Sequence, residues 1–443
     1  MAKHPLGMIR RMPSITLPLN LLLPLRAAAA TALLALALAA CVSRPATEMP
    51  RADAAWATAP VLLVSIDAFR ADYLELGITP NLARIAREGA RAQWMNPSYP
   101  ALTFPNHYTI VTGLRPDRHG ITHNTMEDAG LGTFKLSDRA AVSTTQWWGG
   151  KPIWVSAANA GLPTATMFWP GSEALIGGRQ PGRWLAFDKA VAPATRVDTV
   201  LGWLGERAAT RPRPRLATLY FDALDAAGHG HGPDSPEAHA AIRDTDAAIG
   251  RLIDGLEARA LLDAVNIVIV SDHGMATVGP GHTIAVEDMV DPADAVAVTG
   301  GQSVGFAPLP GRTVAAERRL LGAHPHYECW RKGELPARWH YGQHPRVPPI
   351  VCQMHEGWDA VPRARLARRV QGATRGSHGF DPALPSMRAL FVARGPAFRR
   401  GVVLQAFDNV DVYPLLARLV GIAAAENDGD ADAMAALKPD TPL

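Results

Sequence analysis

A chain of 443 residues that is 48% hydrophobic and 19% charged has the apolar content for a sizeable core and is excluded from the disordered class. A formal net charge of +3, with no dense Lys/Arg tract in the body, gives no basis for a nucleic-acid-binding surface. One large domain or two ordinary ones fit this length.

The first segment reads as a leader. Lys3, Arg10, Arg11 and Arg26 precede an apolar run from Ala27 to Ala40, which is too short to span a bilayer comfortably but suits a signal-peptide core. The run ends in Leu38, Ala39, Ala40 and Cys41, resembling the bacterial lipobox, in which the cysteine is lipidated and becomes the mature N-terminus. A plain secretory signal cut nearby is the alternative, and the long basic leader allows Met8 or Met12 as the start. Export to the periplasm is expected either way, with Cys41 as an outer-membrane anchor in the lipobox reading. Residues 42–59, rich in Pro, Ala and polar side chains, read as a tether.

Past the tether, short apolar runs at 61–69, 164–171, 215–225, 266–274 and 389–396 each stop at polar or glycine residues, as strands buried on both faces do. Helical spacing separates them, first at 79–90 and most clearly at 236–263, where Ile242, Ile249, Leu252, Ile253 and Leu256 share a face. This alternation predicts an α/β fold with a largely parallel central sheet flanked by helices. A single catalytic domain is expected over 60–425, with an insertion or cap at about 276–375, where Pro, Gly, His and Trp abound and strand signals are weak. Residues 426–443 read as a C-terminal tail. Cys329 and Cys352 either pair in an oxidising compartment or stay as buried thiols.

Ligands gather at the carboxyl ends of strands in open α/β sheets. Here those ends carry Asp67, then Asp222, Asp225, His229 and His231, then Asp272 and His273, while His378 precedes the last core strand. Each alone is an ordinary cap, turn or surface group. Together they form the Asp-plus-neutral-His mixture that zinc accepts. Thr103, in SYPALTFPNHYTIVTG (98–113), reads on its own as a helix N-cap before Pro105.

Asp67, TFPNHY (103–108), HGITHN (119–124), FWPGSE (168–173), DAAGHGHGP (225–233), SDHGM (271–275) and GSHGF (376–380) occur in one order. That order, together with ELPARWHYG in the insertion, resembles the nucleotide pyrophosphatase/phosphodiesterase family, as in its bacterial members, within the alkaline phosphatase superfamily. The resemblance covers essentially everything after residue 60. It implies an alkaline-phosphatase-like core and two zinc ions per chain. Asp225, His229 and His378 would hold one; Asp67, Asp272, His273 and the Thr103 oxygen would hold the other. Asp222 is assigned a supporting or capping role, His231 the rim, and His107 and His119 structural positions.

The resemblance also implies a reaction. Zinc lowers the pKa of bound water to about 7 and activates a hydroxyl in the same way. Thr103 then attacks phosphorus in line, leaves a phospho-threonine intermediate, and is regenerated by water with release of a nucleoside 5′-monophosphate. Asn124 would hold a phosphoryl oxygen where phosphatases of the superfamily use an arginine clamp, which favours diesters. Phe104, with Trp169 and Tyr220 as further walls, would stack a nucleobase, although each ring could instead be core. Competing readings are a phosphomonoesterase, a phosphonate hydrolase, a phospholipid head-group diesterase, or a metal-stabilised binding protein without catalysis. A Ser/His/Asp hydrolase lacks its GxSxG elbow.

Overall fold

The protein is described here by a computed structural model covering residues 58–207, 211–370 and 372–439. The leader, the lipobox with Cys41 and nearly all of the tether lie outside the described residues. No helix among the described residues is long and apolar enough to cross a membrane.

Eight strands make the main sheet, numbered in chain order: β1 (Val61–Ile66), β2 (Ala90–Ala92), β3 (Thr164–Met167), β4 (Arg183–Trp184), β5 (Leu216–Phe221), β6 (Asn266–Val270), β7 (Phe391–Arg394) and β8 (Val402–Leu404). Across the sheet they run β8-β2-β7-β6-β1-β5-β3-β4. Only the pairings of β7 with β6 and with β2 are antiparallel, so the sheet is mixed but mostly parallel. The apolar runs are continuous because both faces are covered. In β1, Val61 and Leu63 pack into one core, while Leu62, Val64 and Ile66 pack into the other. The second core is roofed by α3 (Pro236–Glu257), which follows α1 (Pro80–Glu88) and α2 (Pro193–Gly205) in the chain. Ser235 caps α3 through the Ala238 N–H, Pro236 opens it, and Ile242, Ile249, Leu252, Ile253 and Leu256 are all buried.

Register positions the chemistry. Ile66 lies beside Phe221 and Ser65 beside Val270, so the chain leaves β1, β5 and β6 at one level of the sheet.

The region from 276 holds more order than its sequence signals suggest. Ala276–Val278 pairs antiparallel with Arg375–Ser377, so the chain departs and returns at one place. Between them lies a five-stranded antiparallel sheet in the order Ala295–Ala297, Ser303–Pro308, Ile350–Met354, Tyr327–Arg331, Gly322–Ala323. Cys329 and Cys352 stand opposite each other in it, Cα atoms 3.9 Å apart, and form a disulfide. Closing a loop of this size contributes about 3 kcal/mol in the chain-entropy account.

Residues 426–439 differ from the expected tail. Ala433 and Ala436 are fully buried in the first core, Asp428 N–H bonds the Gly113 carbonyl, and Arg118 pairs with Asp428 at 2.5 Å. Small alanines in a polar, glycine-containing stretch carry little hydrophobic signal, which is why the sequence reads as loose.

Candidate active site

Thr103 is the first residue of a helix, Thr103–Thr112, whose N-cap position is taken by Leu102 in extended conformation. The N-cap reading of Thr103 therefore fails. Its hydroxyl lies 3.4 Å from His273 Nε2. Of the helix's first N–H groups, that of Phe104 donates to Asn124 Oδ1 at 2.9 Å. This bond fixes the amide's orientation and leaves its Nδ2 end as the donor available to a ligand.

The residues expected as ligands come together. Asp225, His229 and His378 form one group of converging ligand atoms; Asp67, Asp225 and His273 form a second; Asp67, Asp272 and His107 a third. His229 Nδ1 bonds the Gly376 carbonyl at 3.1 Å, His378 Nδ1 that of Ala101 at 2.9 Å, and His273 Nδ1 that of Gly274 at 2.9 Å. Each Nδ1 must carry the proton to donate there, so each neutral ring offers a bare Nε2 lone pair. His229 and His378 point those lone pairs at each other across 3.1 Å. Two such acceptors cannot bond one another; a cation between them resolves the contact. Asp67 Oδ1, Asp225 Oδ1 and Asp272 Oδ2 are buried without a hydrogen-bond partner, an arrangement costly unless a cation completes it. The donor set fits divalent metal.

Electrostatics agree. Burial, then Asp272 and Asp225, hold the Asp67 carboxyl well above the usual range. Burial likewise raises Asp225. Burial acts against ionisation of Asp272 too, but His273 and His107 outweigh it and hold that carboxyl well below the usual range. His378 is pushed well down by burial and by His273 and His229. Burial works against a charged His273, but Asp272 outweighs it and raises that imidazole above its usual value; carboxylates this close form a centre that calls for positive charge.

The remaining expected residues are spread around this centre. Phe104 is half-buried, its ring 5.8 Å from Phe134 and 6.1 Å from Trp148. Trp169 lines the cleft while its Nε1 donates to the His107 carbonyl at 3.0 Å. Tyr220 also lines it, with its hydroxyl donating to Asp67 Oδ2 at 2.6 Å, so it grips a ligand as well as walling the cleft. Asp222 accepts from Arg196 at 2.7 Å, and His231 is exposed. His107 is held by Ser65 Oγ at 2.8 Å and the Thr103 carbonyl at 2.9 Å, and its Nδ1 lies 3.2 Å from Asp272 Oδ2. His119 bonds Thr109, and burial pushes its pKa down to about 3, a structural histidine.

Sequence reasoning missed Ser65, although a lone hydroxyl inside an apolar strand was a signal. It also missed Leu136, Arg139, Phe168, Glu173 and Phe187, which line the cleft of about 270 Å³ with Phe104. Phe187 lies in no periodic segment, and nothing in one sequence marks it.

The sequence profile of the type I phosphodiesterase / nucleotide pyrophosphatase family matches residues 61–381. An uncharacterized pyrophosphatase/phosphodiesterase of Schizosaccharomyces pombe is 35% identical over 382 residues, 83% of this chain and 78% of that protein. A venom phosphodiesterase of Crotalus durissus collilineatus is 35% identical over 400 residues, of which the chain spans about half the length: 88% of this chain against 47% of the venom protein. Murine ectonucleotide pyrophosphatase / phosphodiesterase 5, solved as an inactive threonine-to-alanine variant in complex with AMP, superposes with a TM-score of 0.80 at 32% identity, covering 86% of this chain and 100% of that one. A profile match across most of the folded chain, with relatives alike in both sequence and structure, leads to one conclusion: the protein belongs to the type I phosphodiesterase / nucleotide pyrophosphatase family.

Proposed function

We propose that the protein is a two-zinc phosphodiesterase/pyrophosphatase that cleaves nucleotide diesters or pyrophosphates through a phospho-threonine intermediate and releases a nucleoside 5′-monophosphate. The observation that carries this reading is Thr103 Oγ1, 3.4 Å from His273 Nε2, at a helix start beside three partnerless buried carboxylate oxygens. Asp225, His229 and His378 would hold one zinc; Asp67, Asp272, His273 and Thr103 would hold the other. When bound, zinc supplies Lewis-acid stabilisation of the attacking and departing oxygens.

The chain's own groups do the rest. Thr103 Oγ gives up its proton to solvent water and forms the new bond to phosphorus, while the bond to the leaving oxygen breaks and that oxygen departs with its electron pair. The Asn124 amide steadies a non-bridging oxygen as charge develops. Water then cleaves the phospho-threonine bond and returns the hydroxyl. Tyr220 keeps Asp67 in place throughout.

Charge favours a diester. Among the described cleft-lining residues Arg139 is the one Lys or Arg, and it is paired to Glu173. No free cation therefore awaits the extra charge of a monoester dianion. AMP bound to the murine relative is consistent with a nucleotide substrate. Phe104→Ala should cost about 1–3 kcal/mol in kcat/KM on nucleotide diesters, the worth of one base stack, and far less on a small aryl methyl phosphodiester. Equal losses on both would assign Phe104 to support of the helix start. A wild type that prefers monoesters would overturn the diester reading.

The leader and LAAC sequence support export of this protein as a bacterial lipoprotein held at the outer membrane through Cys41. Cys41→Ser should move it from the membrane fraction to the soluble one; a wild type already soluble would remove the anchor and leave the chemistry untouched.

A further inference from the structure

We infer that the insertion positions Asn124, through Arg346 and Tyr341; this rests on the reading of Asn124 as a phosphoryl-oxygen donor. Asn124 sits midway along the segment from Gly120 to Asp128, and one guanidinium grips both ends of it. Arg346 Nε donates to Asp128 Oδ2 at 2.8 Å and Nη1 to the Gly120 carbonyl at 2.8 Å. The same group donates to the Trp147 carbonyl at 2.7 Å and the Gln146 carbonyl at 3.0 Å, and lies over the Trp147 ring. Closer in, the Tyr341 hydroxyl donates to the Thr122 carbonyl at 3.0 Å, two residues before Asn124.

These contacts cross between distant parts of the chain, more than 190 residues apart in sequence. Arg346 is only 9% exposed at its side chain, so its donors have to be met by protein, and the planar fork meets one carboxylate and three carbonyls at once. Gly120 permits the approach. Its φ is +79°, and a Cβ there would meet Arg346 Nη1 at 2.9 Å and His344 Nε2 at 3.0 Å. Within the gripped segment, Asn124 is tied by its Oδ1 to the Phe104 N–H and by its carbonyl to the Leu136 N–H at 3.0 Å. The amide thus stands at a fixed place relative to Thr103, and the insertion supplies the outer restraint. A loss of restraint that lets the donor drift by about 1 Å is enough for a large rate effect.

A double-mutant cycle on the zinc-loaded enzyme tests this. Tyr341→Phe and Arg346→Lys should each lower kcat on a nucleotide phosphodiester by about fivefold or more with zinc content unchanged, and in an Asn124→Ala background each should change it by less than about twofold. Arg346→Lys keeps the charge but not the fork. Should it not fold, Tyr341→Phe decides alone, since it removes a single oxygen. Equal losses in both backgrounds would make these residues merely structural and overturn the inference, as would unchanged rates in the wild-type background. Asn124→Ala with an undiminished rate would instead overturn the reading of Asn124 itself, and this inference with it.

Discussion

Thr103→Ala should fold, keep its metal and lose turnover on nucleotide diesters by on the order of 10⁴-fold or more, the scale on which losing a catalytic nucleophile is felt. Thr103→Ser should retain part of the rate, since an oxygen nucleophile remains at the same backbone position. The structure separates this outcome from the ordinary one. Losing an N-cap costs about 1 kcal/mol of stability. Leu102, however, holds the cap position, and alanine is the better helix former at the first helical residue. Stability should therefore be unchanged or slightly raised while activity collapses. An alanine variant within a few-fold of the wild-type rate would leave Thr103 with no part in the chemistry.

Metal removal is the second large effect. The folded chain lacking residues 1–41 should bind about two zinc equivalents, and a strong chelator should lower turnover by at least about 10³-fold, with zinc restoring it. The physical reason lies in the centre's own charges. Asp67 Oδ1, Asp225 Oδ1 and Asp272 Oδ2 are left buried without partners, and the His229 and His378 lone pairs face each other. Stripped protein should consequently unfold at a lower temperature than the loaded form, because ligands that bind only the folded state stabilise it. Full activity in exhaustively metal-free protein would contradict the assignment.

Much of this was legible because of how parallel sheets are built. VLLVSI and NIVIV are apolar apart from Ser65 and the opening Asn266, since helices cover both faces, and the shared register of β1, β5 and β6 brings Asp67, Asp272 and the start of the helix Ala223–His231, which carries Asp225, to one end of the sheet. Strand ends close in space can thus be guessed from residues 205 apart in the chain, as Asp67 and Asp272 are. The insertion was less legible. Its strands are short, and one of its pairings is pinned by the Cys329–Cys352 bond, which the sequence left open against two free thiols. The alanines of 433 and 436 gave no periodic signal. Arg346 follows His344 and Pro345 in a stretch without pattern, so nothing local tells a surface arginine from one that is 9% exposed and holds a distant loop. Tyr220 illustrates a different limit: core and pocket were weighed as alternatives, and the side chain serves both, buried in the sheet with its hydroxyl on Asp67.

The central claim is that Thr103 itself becomes bonded to phosphorus. Acid quenching of the wild-type enzyme during turnover of a nucleotide phosphodiester, followed by mass analysis of its peptides, tests it most directly. The account predicts the added mass of a nucleotidyl group, a nucleoside 5′-monophosphate less one water, on the peptide bearing Thr103, localised to that residue and missing from Thr103→Ala. Rapid turnover with that peptide unmodified, together with activity surviving in Thr103→Ala, would contradict it.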